Sequence, residues 1–474
     1  MKNLIIKSFA AIAVVLLAIS FAPAQPQRTA APQQQGQSIK GADIKGRAPV
    51  NKEILKVNLP KGQEATLPNG LRVIVLENHR VPTFSMQMVI LSGGLSDPAD
   101  YHGLASFTAG LLREGTTTRK SKDIAEQTDT LGATLVTSAG LSSLTSNINS
   151  SGLVENFDQA LDLFADVILN PKFPQEEIDK YKARQLQQLN FQRSIPQFLA
   201  AEHFQRAIYG DHPAGMVAPP ADSLKRIASA DLAAFHAKYY RPNNAILAIV
   251  GDVTLKDLLP KLTRAFGGWQ KGDVPTTSIP SAPAQGVALI QLINRPGSVQ
   301  TVLQLGNLGI ERTNPDYFAV AVMNQILGGG PAGRLFMNLR EDKGYTYGAY
   351  SSFGGSKYRG TVVSQSEVRT DVTEGAMHEF MYELNRMRDE KVSAIELENA
   401  KRAMVGSFAL SLEQPQALLN NLVLQKLYEM PADYWDTYPQ KVMAITADDV
   451  QRVAQKYIDM GHLQIVAEIG RAHV

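Results

Sequence analysis

Few residues in this chain are placed to do covalent or metal chemistry unaided. There is no cysteine, which removes thiol nucleophiles and Cys-rich metal sites. None of the eight histidines stands three to five residues from another, so no local pair is aligned on one helix face to share a zinc ion. His102 reads as a turn or cap residue ahead of a helix. No Gly-x-Ser-x-Gly elbow offers a serine nucleophile. The run from Gly328 to Gly333 lacks the Lys-Ser/Thr that a phosphate loop needs. The best-equipped stretch runs from Ala332 to Gly348 and contains Arg340 and Tyr347. A guanidinium and a phenol can both donate hydrogen bonds to negative charge that develops in a dry cleft. A plainer reading stands beside that one: Arg340 pairs with a carboxylate on its helix surface, and Tyr347 is a half-buried strand residue.

A second stretch, Tyr101 to Thr116, reads as a short, mostly apolar helix that opens after Ser96 to Asp100 and stops at Gly115. Two histidines one turn apart with a glutamate between them would make a zinc site with its own base. This turn carries Ser106, Ala109 and Gly110 instead. Serine is a poor zinc ligand, glycine has no side chain, and alanine cannot take a proton.

The elements that must position these groups fall into two similar halves. Residues 1–24 read as a secretory signal: Lys2 and Lys7 in front, an apolar run from Phe9 to Phe21, and a small-residue site at Ala22 to Ala24. The apolar run is short for a bilayer span, so no stable membrane span is expected after cleavage. Residues 25–52, rich in Gln, Pro, Ala and Gly, read as a flexible tether. The formal charge of +2 includes both signal lysines, and nothing suggests a nucleic-acid partner.

The first half, 53–272, opens with a hairpin signal at Asn69-Gly70 and a strand from Phe84 to Leu91. A helix capped by Ser121 follows, then a Thr/Ser-rich strand pair from Ala133 to Ile148 and an amphipathic helix from Leu153 to Ile168. A long polar helix from Glu176 to Gln192 leads to a closing helix and the strand Ala245 to Val250. The second half, 287–474, repeats this order. Its end mirrors that of the first: Asp231-Leu232 and Lys238-Tyr239 correspond to Asp449-Val450 and Lys456-Tyr457. Residues 273–286, with Pro275, Pro280 and Pro283, form the linker. Consecutive strands joined by short turns predict an α+β fold of two homologous halves with largely antiparallel sheets.

With these residues in view, the chain resembles the insulinase/pitrilysin family of zinc peptidases, in its mitochondrial-processing-peptidase-like bacterial branch. The family helix reads Gly-Leu-Ala-His-x-x-Glu-His, then apolar residues and Gly-Thr. Gly103, Leu104, Ala105, Gly115 and Thr116 match it, whereas Ser106, Ala109 and Gly110 stand where the two histidines and the glutamate would be. The family's third ligand, a glutamate on the later long helix, falls on Gln187 and Gln188. A second family motif, Arg-Leu-Phe-x-x-Leu-Arg-Glu-x-x-Gly-x-x-Tyr, is kept from Arg334 to Tyr347.

The resemblance implies two α+β domains facing each other like a clam, with a peptide between them. It implies that Arg340 and Tyr347 hold the scissile carbonyl, and that a peptide can add along the strand near Gly132 to Thr145. Some members divide the work between two chains, and this one resembles the chain without the zinc site. The expectation is therefore an exported, probably periplasmic subunit, incomplete alone, with no metal of its own. Its partners would be peptide substrates and a homologue carrying His-x-x-Glu-His and the zinc. A non-enzymatic peptide-binding or envelope scaffold, and an active peptidase with atypical ligands, remain the other two readings.

Overall fold

The computed structural model describes residues 59–470. The expected signal and tether lie outside the described residues. Two sheets organise the chain. The first contains β1 (Gln63–Thr66), β2 (Arg72–Glu77), β3 (Thr83–Ile90), β4 (Thr134–Ala139), β5 (Ser146–Leu153) and β6 (Ala245–Gly251). The second contains β7 (Leu289–Asn294), β8 (Gln300–Leu308), β9 (Thr346–Phe353), β10 (Thr361–Arg369) and β11 (Gln464–Ile469). The spatial orders are β1-β2-β6-β3-β5-β4 and β7-β11-β8-β10-β9. Apart from the extra edge strand β1, the second order reproduces the first. In each sheet the closing strand runs parallel to the opening one, β6 with β2 and β11 with β7. The other pairings are antiparallel. The fold is thus α+β, with two largely antiparallel sheets.

Strand β6 is buried along its whole length. Its unbroken apolar run, Ala245 to Val250, is what a strand covered on both faces requires. One face meets helices of its own half, including Phe157–Leu169, whose Phe157, Leu161, Phe164 and Ile168 recur at helical spacing and are all buried. The other face is covered by the second half. Leu418, Leu419, Leu422 and Val423 of helix Pro415–Leu427 pack on Ile74, Leu76, Val89, Ile246, Ala248 and Val250. The arrangement is reciprocal. Helix Pro196–Tyr209 of the first half lays Ala200, Phe204 and Ile208 on Val302, Leu308 and Val466 of the second sheet. Both helices begin with proline at the first helical position followed by glutamine, Pro196-Gln197 and Pro415-Gln416. Proline is suited there because that N–H has no helical partner.

Local details differ from the sequence reading in places. The long helix runs Gln175–Arg193, and the Asn69-Gly70 hairpin joins β1 and β2 as expected. Ser121 is not the cap of its helix. It is the first helical residue, and its hydroxyl donates to Glu114 at 2.6 Å. The cap role passes to Asp123, whose carboxylate accepts the Lys120 backbone N–H at 2.9 Å. Strand β5 continues to Leu153, and a short 3₁₀ turn separates it from the next helix. β7 and the two exchanged helices were not foreseen.

The exchange predicts that the halves unfold together. Trp269 lies in the first-half core and Trp435 stacks on Phe408 in the second. Single-tryptophan variants followed by fluorescence in denaturant should give coincident midpoints. Phe204→Ala should lower both, by about 3–5 kcal/mol. Two separate transitions would refute the coupling.

Candidate functional site

The helix at the expected zinc position is Leu104–Leu111. Its cap, Gly103, has no side chain to close the first turn, so Asp97 does so from outside. The Asp97 carboxylate accepts the N–H of Gly103 at 2.7 Å and of Ala105 at 2.8 Å. Burial pushes its pKa up to about 7, against the pull of these backbone donors. Leu104, Ala105, Phe107, Thr108, Ala109 and Leu111 are buried, and the Thr108 hydroxyl donates to the Leu104 carbonyl. Only Ser106 and Gly110, one turn apart, face a half-open side.

That side is filled by an aromatic ring. Tyr181, on Gln175–Arg193, stands edge-on to Phe107 with centroids 4.8 Å apart. A Cβ placed on Gly110 would lie 2.2 Å from the Tyr181 hydroxyl oxygen and 2.7 Å from its Cζ. The ring therefore requires a glycine at 110. Arg184 lies over the Tyr181 ring at 5.5 Å and pairs with Glu114 at 3.6 Å. Burial pushes the Tyr181 phenol pKa up, so the hydroxyl stays protonated. Ala109 is wholly buried, and Gln187 and Gln188 are exposed further along the same helix as Tyr181. A zinc ion does not fit this donor set. It would find one hydroxyl, no imidazole and no carboxylate, in space taken by a phenol. Among the described residues, no three His, Asp or Glu side chains gather as a metal-binding group.

The second candidate region is held firmly. The glycine loop before it follows helix Tyr317–Gly328. A Cβ on Gly328 would come within 2.5 Å of the Ser351 backbone nitrogen, so glycine lets the helix end abut β9. Arg334, 7% exposed, makes a forked contact to Glu396 at 2.8 and 3.3 Å. Glu396 also accepts the Ser393 N–H at the start of helix Ala394–Ser411. Burial would raise the Glu396 pKa, yet Arg334 and Ser393 hold it down at about 2.

From Met337 to Asp342 the chain widens into a π-helical turn, a device common at functional sites. Asn338 anchors its inner side, donating to Glu379 at 3.0 Å and to the buried Glu383 at 2.9 Å. Arg340 is on this turn and half exposed. Among the described residues its one ionic partner is its neighbour Glu341 at 3.4 Å, and it lies over the Phe336 ring at 5.0 Å. A surface pair of this kind is worth at most about 1 kcal/mol, so it leaves the guanidinium available to a ligand. Tyr347, the second residue of β9, is 87% exposed, not half-buried. It borders a cavity of about 390 Å³ between the second sheet and the start of the Pro196 helix.

The sequence-derived positions thus form separate groups. Ser106, Ala109 and Gly110 share one helix with its half-open side closed, and Gln187 and Gln188 face solvent. Arg340 and Tyr347 lie on successive elements with free donors. Sequence reasoning missed Tyr181. The absent side chain at Gly110 was the only local trace of it.

Comparison with known proteins fits this geometry. Residues 72–217 match the family model "Insulinase (Peptidase family M16)", and residues 226–404 match "Peptidase M16 inactive domain". The uncharacterized zinc protease YmxG of Bacillus subtilis is 24% identical over 368 residues, covering 76% of this chain and 88% of that protein. An uncharacterized zinc protease of Mycobacterium tuberculosis is 26% identical over 400 residues, covering 83% and 90%. The crystal structure of a peptidase M16 inactive domain from Pseudomonas fluorescens superposes with a TM-score of 0.80 at 29% identity, covering 87% of this chain and 98% of that one. A protease from Helicobacter pylori shares the fold, with a TM-score of 0.80 at 19% identity, covering 86% and 100%.

The contact between Gly110 and Tyr181 can be tested by a double-mutant cycle. Gly110→Ala should gain about 0.5–1 kcal/mol of helix propensity and lose about 1–3 kcal/mol to overpacking, for a net loss of stability. In a Tyr181→Leu background the same change should be neutral or stabilising. An additive cycle would show that the ring does not fill the space beside Gly110.

Proposed function

The chain belongs to the M16 (insulinase) family of peptidases, and from that premise we propose that it is the catalytically incomplete subunit of a hetero-oligomeric zinc peptidase. A homologue carrying His-x-x-Glu-His would hold the zinc, which supplies the Lewis acid and the activated water. This chain would supply Arg340 and Tyr347. The observation that carries the reading is the contrast between the two regions. At the first, the Tyr181 phenol fills the space beside Gly110, and no imidazole or carboxylate stands at 106, 109, 110, 187 or 188. At the second, the Arg334–Glu396 pair and the Asn338 anchor keep a turn that presents Arg340 and leads into Tyr347.

The mechanistic role follows from the donors. The guanidinium and the phenol hold a peptide carbonyl and keep donating as its oxygen gains charge. Donors aimed at the charged form lower the barrier because they gain strength in the transition state. Among the described residues no carboxylate or imidazole stands at 106, 109 or 110 to take the proton from water, so the proposal assigns that step to the partner. Export to the periplasm is part of the same proposal and rests on Lys2, Lys7, the apolar run to Phe21 and the small-residue site at Ala22 to Ala24.

The test is reconstitution. The chain alone should not cleave peptides, and the chain with its zinc-bearing homologue should. Arg340→Ala or Tyr347→Phe should lower kcat of the pair by about ten- to a thousandfold. Zinc-dependent cleavage by the chain alone, or a full rate with both donors removed, would overturn the proposal.

A further inference from the structure

The cavity beside Tyr347 is lined by carboxamides. Gln300 and Gln304 come from β8, Gln365 from β10, and Gln197 from the Pro196 helix of the other half. Gln304 is 6% exposed, and its side chain makes no hydrogen bond among the described residues. The Gln197 carbonyl oxygen is shut away from solvent with no partner. Buried polar groups in folded proteins are nearly always paired, and each unpaired one costs about 1–3 kcal/mol.

The first half provides an internal control. Gln87 is the buried glutamine on its inner sheet face, and Gln416 opens the helix that crosses it. There the Gln416 amide donates to Gln87 at 3.4 Å, and Gln87 donates to Asn147 at 3.3 Å. The same pair of residue types is closed on itself in one half and left open onto a cavity in the other.

We propose that this cavity is a substrate subsite that takes the carboxamide side chain, glutamine or asparagine, of a bound peptide. The inference deepens the peptide-binding role proposed above and rests on it. A carboxamide offers two donors and one acceptor, the complement of an amide-lined wall. The Glu367 carboxylate on the same wall adds an acceptor for its NH₂ group. A lysine has donors only and would leave the wall's NH₂ groups unpaired. A leucine would leave every amide unpaired, the situation in which a polar pocket rejects its ligand most strongly.

Binding to the intact chain, without partner or cleavage, tests this. Fluorescein-labelled Ala/Ser peptides with a single central Gln, Asn, Leu, Lys or Glu would be compared by anisotropy. The Gln or Asn peptide should bind at least about tenfold more tightly than the Leu peptide, and Gln304→Leu or Gln197→Leu should erase the preference. Gln197→Leu should also raise the Tm of the ligand-free chain, because it removes a carbonyl oxygen shut away from solvent without a partner. Equal binding of all five peptides would overturn the subsite. So would a lysine preference abolished by Glu367→Gln, or a lowered Tm in Gln197→Leu. None of these outcomes measures hydrolysis by the pair, so failure of the subsite is distinguishable from failure of the Arg340/Tyr347 role.

Discussion

Each sheet of this protein is covered on one face by a helix that the other half supplies. Leu418, Leu419, Leu422 and Val423 close the first sheet, and Ala200, Phe204 and Ile208 close the second. Fully burying one such side chain is worth about 1.5–3 kcal/mol, so neither inner face can be uncovered cheaply. This constraint fixes where the halves meet. It brings Gln197 to the second sheet, and it sets Tyr209 and Tyr358 at the seam, where they donate to the Arg359 and Ser142 carbonyls. Tyr209 spans the seam from the first half and Tyr358 from the second.

Near-symmetry makes the departures from symmetry informative. The strand orders agree and the exchanged helices start alike, so a difference between corresponding places reflects residue choice more than architecture. In the first half, choices favour packing. Ala109 is fully buried, Gly110 admits a ring, and Gln87 finds two partners. In the second half, choices leave polar groups open. Tyr347 stands in solvent, Arg340 holds a weak pair, Gln304 faces a cavity, and the Gln197 carbonyl oxygen has no partner among the described residues. Stability and binding capacity compete for the same positions, since a satisfied group has nothing left to offer a ligand.

What was legible in the sequence was local or repeated. The Asn69-Gly70 turn, the spacing of Phe157, Leu161, Phe164 and Ile168, and the paired endings at Asp231 and Asp449 each signal through neighbours a few residues away. The run from Arg334 to Tyr347 was legible as a family motif, but its supports were not. Glu396, Glu379 and Glu383 lie on later helices and look like ordinary surface acids until the fold folds them in. The exchanged helices were illegible for a related reason: Leu418 and Phe204 read as core residues, and nothing local says whose core. Ser121 misled because a serine before a helix usually caps it, whereas here Asp123 reaches back first.

Tyr181 shows that the helix Leu104–Leu111 lacks room for a metal as well as ligands for one. Short side chains at 106, 109 and 110 would leave a gap beside the helix, and an unfilled gap loses packing contacts. The Tyr181 phenol ring, edge-on to Phe107, supplies those contacts, on the condition that residue 110 carries no side chain. Gly110 and Tyr181 constrain each other: a histidine at position 110 would meet the ring, and a smaller residue at 181 would leave the space beside Gly110 empty. A metal site at this helix would therefore require several substitutions at once on two helices.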